Sequence, residues 1–287
     1  MNISIADLHA KAENGDASAQ NDLGLRYLNG DGVPQSYETS LKWLRLSAST
    51  GNANALCTLG FCYYNGMGVV RNHPTAARLF HQAAQKGLAA AQHNLAQCYL
   101  NGQGVPQSYE NAFKWIKSAA QKGHTSSYKT LGGLYYYGRG TKQDYDAAAL
   151  WFTKLAELDQ PDGYRGLGLC CEVGFNAYAW ALHWYQKALD RGMKAAADDI
   201  ARVKRKLSAP PSAPAPTVSR PAEASAPPSP SYQIYPRGTF SGLDRDSSVS
   251  FVNRCLQDDL AFCCSEEERE QVKQRYLHNY PDTPLEF

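Results

Sequence analysis

Apolar residues recur along most of this chain in short bursts at helical spacing, separated by glycine-rich breaks. Over Ala17 to Leu28, the apolar positions Ala19, Leu23 and Tyr27 are four apart and share one helical face. The NGDGVP that follows supplies glycines, which permit positive φ and end a helix. Pro34 cannot continue a helix but suits the approach to the next. From about Ser36 to Thr50, Leu41, Trp43, Leu44 and Ala48 form a second stripe, which Gly51 stops. The pattern predicts a helix–loop–helix unit with one apolar face on each helix.

The unit repeats. LNGDGVPQSYE at Leu28 returns at Leu100 as LNGQGVPQSYE, with Asp31 replaced by Gln103. The two copies are two periods of 36 residues apart. In a register set by Gly15, Gly51, Gly87, Gly123, Asp159 and Gly192, Leu23, Leu59, Leu95, Leu131 and Leu167 coincide. Gly24, Gly60, Ala96, Gly132 and Gly168 follow one residue on, and residues this small imply a close helix crossing. Trp43, Leu79, Trp115, Trp151 and Trp184 share the last large apolar position. No single pair can bury its own stripe, so neighbours must stack. The fourth unit carries Thr141-Lys142 where the first has Val-Pro, and the fifth has a loop three residues shorter, CCEVGFNAYAW from Cys170. Both loops are expected to differ in shape from the first three.

The strings ALCTLGFCYYNGMGV at Ala55, AQHNLAQCYLNGQGV at Ala91, LGGLYYYGRG at Leu131 and NAFKWIKSAAQKG at Asn111 resemble the Sel-one-like repeat family, a branch of the tetratricopeptide-like solenoids. The resemblance implies an all-α, right-handed α-solenoid of about five units. The domain plan is a capping helix over 1–14 and a solenoid over 15–207, whose units start near 15, 51, 87, 123 and 159 with a final helix from 192. A Pro/Ala/Ser-rich linker follows over 208–230, then a helical tail over 231–287. The linker cannot bury apolar surface and predicts an extended spacer. Tail helices are expected from about Asp246 to Phe262 and from Ser265 to Asn279, and Tyr232–Phe240 is a candidate to fold back onto the solenoid.

A net charge of +2 argues against a dedicated nucleic-acid or membrane-surface binder. No run approaches the roughly 18 apolar residues of a spanning helix. The N-terminal sequence has neither the basic nor the apolar stretch of a signal peptide, which predicts a cytoplasmic protein. Cys62, Cys98 and Cys170 share one repeat position, and neighbouring units stand about 10 Å apart. That spacing is too wide for a disulfide, so reduced core thiols are expected. Some extracellular members of the family bridge cysteines within a helix pair, whereas the second helices here carry none. Cys255, Cys263, Cys264 and His278 match no usual zinc spacing. No hydrolase, zinc-protease or phosphate-loop motif occurs, and no catalytic residue, metal or cofactor is expected.

Function then falls to a surface. Solenoids bind along the concave wall that the first helices line. Asn21, Phe61, Tyr64, His93, Gln97, Lys129, Tyr136 and Arg165 are the candidate partner-binding residues, a mixture of aromatic and polar groups suited to a peptide or partner helix. The resemblance implies a non-catalytic scaffold or adaptor, mostly bacterial. Two further readings are an immunity or inhibitor protein for a bacterial toxin or effector, and an enzyme or redox activity in the tail.

Overall fold

The computed structural model describes residues 4–208, 270, 273 and 274. The linker, the first tail helix and the Tyr232–Phe240 segment lie outside the described residues. Glu270, Lys273 and Gln274 are helical, with Gln274 Nε2 donating to Glu270 Oε1 at 3.0 Å.

Residues 4–208 form twelve α-helices and no strand. A leading helix α1 (Ile5–Glu13) precedes five pairs: α2 (Ala17–Asn29) with α3 (Tyr37–Ser49), α4 (Ala53–Asn65) with α5 (His73–Gln85), α6 (Ala89–Asn101) with α7 (Tyr109–Gln121), α8 (Ser126–Tyr137) with α9 (Tyr145–Glu157), and α10 (Pro161–Leu169) with α11 (Tyr178–Asp190). The last helix is α12 (Ala195–Ser208). Each second helix of the first four pairs starts at a side-chain cap. Ser36, Asn72, Ser108 and Asp144 accept the amides of Thr39, Thr75, Asn111 and Ala147 at 2.9–3.2 Å.

The close crossing predicted within each pair has a definite partner. A Cβ on Gly24 would lie 2.7 Å from Leu44, on Gly60 2.8 Å from Phe80, on Gly132 2.8 Å from Phe152 and on Gly168 2.5 Å from Tyr185. In the third unit Ala96 takes the glycine position and Ile116 the knob position, both fully buried. Each second helix thus drives one large side chain onto a bare patch of its partner. The knob is the residue after the tryptophan position. Trp43, Trp115 and Trp151 are only half-buried, whereas Leu44, Ile116 and Phe152 are buried.

Curvature explains where the tryptophans go. First helices of neighbouring units touch, α2 with α4 and α8 with α10, while no two second helices pack as closely among the described residues. The first helices therefore line the inner, shorter side. The wider outer gap is spanned by rings: His9 meets Trp43 and His81 meets Trp115, each with centroids 6.0 Å apart. Trp115 packs against the core clusters of both flanking units. Trp115→Ala should cost about 2 kcal/mol in chemical denaturation, less than the roughly 3–5 kcal/mol of a fully buried aromatic. A midpoint equal to wild type would contradict this stacking.

The loops nest unit upon unit. Gly102 and Gly138 end their first helices in the left-handed region, and Gly104 (φ +76°) and Gly140 (φ +73°) follow two residues on. A Cβ on Gly104 would fall 2.1 Å from the His73 carbonyl oxygen at the start of the preceding second helix, and one on Gly140 2.1 Å from that of Tyr109. The fourth loop therefore keeps the geometry of the third, contrary to the expectation from Thr141-Lys142, because the two glycines and not the Val-Pro pair set its path. Gln143 Nε2 also donates to the Tyr136 carbonyl at 2.8 Å, as Gln107 Nε2 does to Leu100 at 2.6 Å. The fifth unit does differ. There α10 passes into a π-helical turn, Cys170–Gly174, with no left-handed glycine cap.

Candidate functional site

The inner wall follows from the register of the first helices. The stripe Leu23, Leu59, Leu95, Leu131 and Leu167 faces the core and is buried in every unit. The flank of each first helix meets the flank of the next, and the side chains there bond from unit to unit. Asn94 Nδ2 donates to Cys57 Sγ at 3.7 Å, and Gln97 Nε2 to Thr130 Oγ1 at 3.5 Å. His93 Nδ1 is 3.0 Å from Ser127 Oγ. Lys129 pairs with Asp162 at 2.7 Å and Arg165 with Asp199 at 2.6 Å. Tyr64 donates its hydroxyl hydrogen to Gln103 and sets its ring against His73 and Phe80.

These contacts redistribute the sequence-predicted binding residues. Tyr64, His93, Gln97, Lys129 and Arg165 tie adjacent units together, and what they offer a partner is what these bonds leave over. Asn21 and Tyr136 are 5% and 8% exposed and face inward, so neither presents a surface. Tyr136 occupies the position of buried Leu28, with its ring against Tyr145. Of the eight, Phe61 is the large apolar side chain open to solvent, at 46% exposure.

Tyr137, next along from Tyr136, is the residue that sequence reasoning missed. It is 60% exposed. The Arg139 guanidinium lies over its ring at 5.1 Å and over that of Tyr109 at 5.5 Å. A signal was available: Asn29, Asn65 and Asn101 hold this position in the earlier units, and a position polar three times over is a solvated one. Four residues before Tyr137 is Gly133, where an added Cβ would meet nothing within 4 Å, so the wall is open there. Across units two to four the first helices also present Thr58, Asn65, Asn94, Gln97, Asn101 and Thr130, together with Lys129, whose charge is paired with Asp162.

The cysteines of the described residues behave as core atoms. Cys57, Cys62, Cys98 and Cys170 are buried thiols. Burial pushes the first three up to about 11 and Cys170 further up, so none is a thiolate near neutral pH. Among the described residues, no helix is long and apolar enough to cross a membrane. No group of three or more His, Cys, Asp or Glu side chains there is arranged to hold a metal ion.

Helix pairs stacked in register, with a continuous inner wall, define an α-solenoid repeat protein. The Sel1 repeat model matches residues 17–52, 53–88, 89–124, 131–160 and 161–193, and the chain belongs to that family. Two solved structures are similar. A Sel1 repeat protein from Oxalobacter formigenes is 25% identical with a TM-score of 0.63, over 71% of this chain and 86% of that one. The protective antigen c5321 of uropathogenic Escherichia coli, which displays the same repeat fold, is 26% identical with a TM-score of 0.66. That alignment covers 98% of this chain but 56% of the antigen, so the present chain spans little more than half of its length. No curated protein matches the chain.

Proposed function

We propose that this chain is a non-catalytic scaffold that grips a partner polypeptide along the inner wall, between the second and fourth units. Sel1 repeats generally mediate contacts between proteins. The observation that carries the reading to this wall is the exposure of Phe61 and Tyr137, 46% and 60%, on first helices whose other large apolar side chains are covered. Two exposed aromatic anchors separated by amide and hydroxyl groups suit an extended segment, which contributes apolar side chains to the anchors and main-chain polar groups to the amides. The charges near the anchors are Lys129, paired with Asp162, and Arg139, set over the Tyr137 ring, so the ionic contribution is confined to one end and binding should weaken only modestly with salt.

The test is crosslinking and pulldown from native lysate with the full chain, beside a Phe61→Ser/Tyr137→Ser variant. Both substitutions are on the surface and should leave the melting curve unchanged. The proteins captured by wild type should be lost from the variant, and should persist when salt is raised from 50 to 500 mM. Capture undiminished by the double substitution, or abolished by salt, would move the interface elsewhere.

A further inference from the structure

Where the third unit meets the fourth, two histidines converge on one buried hydroxyl. Ser127, in the first turn of α8, is fully buried. Its Oγ lies 3.0 Å from His93 Nδ1 of α6 and 2.9 Å from His124 Nδ1 in the turn before α8. The two imidazoles are 4.9 Å apart and inclined by 37°. We propose that His93, Ser127 and His124 form a proton-operated joint, closed while at least one imidazole is neutral and opened along the inner wall when both are charged.

A serine hydroxyl has one hydrogen to give. It can donate to one Nδ1 only, so the other Nδ1 must carry its own hydrogen and donate to Oγ. The neutral joint therefore holds one ring in each tautomer, with both bonds made. A first proton goes to the free Nε2 of the ring that already donates, and neither bond is lost. A second proton must go to the Nδ1 that accepts from Ser127. Two imidazolium N–H groups then point at one oxygen, and the hydrogen of the buried serine hydroxyl loses its acceptor. Two like charges also stand within 5 Å of each other.

The surroundings offer no relief. On α4 the neighbouring group is Cys57, a neutral thiol bonded to Asn94. At the end of α7 the Lys122 ammonium donates to the Gly87 carbonyl at 2.8 Å. On α8 Lys129 is a cation, and the carboxylate beside it, Asp162 of α10, is bonded to it at 2.7 Å. Just after α5 Lys86 lies beside Gly51, in the unit before. Burial first, and then the charge of His124, hold His93 down at about 4, while burial lowers His124 as well. For a histidine held low in the fold, the unfolded chain binds the proton first. The joint is therefore at full strength above about 6.5, weakens as pH falls from there, and reaches its limit near 4.

The consequence is local. The pair lies on the inner flank that joins α6 to α8, so its second protonation loosens one joint in the middle of the array and leaves the pairs on either side intact. The experiment is hydrogen-exchange mass spectrometry of the full chain from pH 7 to pH 4, corrected for intrinsic rates. A His93→Asn variant serves as control. Its amide can meet Ser127 in either role, Oδ1 accepting or Nδ2 donating, and cannot be protonated. In wild type, amides of α6 and the first turn of α8 should exchange at least tenfold faster at pH 4 than at pH 7, while those of α2 and α3 change little. In His93→Asn this local acceleration should vanish. Equal acceleration in both proteins, or uniform acceleration along the solenoid, would overturn the joint. NMR titration of the His93 ring in wild type gives an answer independent of the variant: a midpoint near 6.5 refutes the proposal, and one well below 5 sustains it.

Discussion

Gly104→Ala should be among the most damaging single-methyl changes in this chain, while Gly102→Ala, two residues away in the same loop, should be mild. Both glycines have φ in the left-handed region, +76° and +66°, where an L side chain costs about 1 kcal/mol or a little more. They differ in what the new methyl meets. At residue 102 the nearest atom is the Gln107 Cβ at 3.5 Å, an ordinary contact. At residue 104 it is the His73 carbonyl oxygen at 2.1 Å, with Pro74 N at 2.6 Å. These are backbone atoms at the start of α5, and they cannot swing aside as a side chain would. Either the loop lifts off the preceding unit, or α5 shifts against its own partner. Adding the overlap to the dihedral cost gives about 3–4 kcal/mol, against about 1 kcal/mol for Gly102→Ala. Urea unfolding of the two variants checks this. Similar midpoint losses would mean that the loop is not seated as described.

Glu172→Ala should release the last helix from the array. The π-helical turn places this carboxylate inside, with 1% of the side chain exposed. Arg202 donates to it at 2.6 Å, Lys206 at 2.8 Å and the Tyr185 hydroxyl at 2.9 Å. Arg202 also reaches Asp199, itself buried and bonded to Arg165. Alanine leaves Tyr185 without its acceptor and removes one of the two acids that balance these bases. Arg202 and Lys206 are 39% and 45% exposed and stay solvated, so the loss should be about 1–3 kcal/mol, the cost of an unsatisfied buried Tyr185 hydroxyl and of the lost charged bonds. The loss should appear as rapid exchange confined to α12 and the end of α10, because solenoid units are coupled mainly to their neighbours. Hydrogen bonds from Arg202, opposed by burial and joined by those from Lys206 and Tyr185, hold the Glu172 carboxyl down at about 2. A carboxylate held low stabilises the fold above its ordinary value of 4.5, and that contribution is lost as pH falls toward 2. The wild-type C-terminal end should therefore persist at pH 4, where the His93 joint has already weakened. Exchange in α12 that rises ahead of exchange in α6 on acidification would contradict this order.

The fifth-unit and fourth-unit loops show where sequence reasoning succeeds and where it stops. Local chain chemistry is legible because it depends on near neighbours. Glycine before a polar run, Ser or Asp at a helix start and apolar residues four apart each carry their conformational meaning within a few residues. Repetition over 36 residues then adds the one long-range fact that composition cannot give, that like units stack on like. The Gly24 series was legible as a close crossing for the same reason. Its partner was not, because Trp43 and Leu44 are equally apolar, and which of them points at the glycine depends on how the helix is rotated.

The candidate site was less legible. Side chains on the first helices bear on two neighbours at once, and their fate depends on the angle between units. Lys129 and Arg165 read as free cations until Asp162 and Asp199 arrive from the next unit. Tyr136 and Tyr137 are consecutive tyrosines, and a turn of about 100° between successive helical residues puts one in the core and the other on the wall. The amino-acid sequence by itself determined the number of units, their helical nature and their stacking, because these follow from periodicity and local turn chemistry. Only the tertiary structure decided which polar groups are consumed between units, that Glu172 is buried among bases and that two histidines share one hydroxyl. Those outcomes depend on the relative placement of residues about 30 apart, through a curvature that no single repeat encodes.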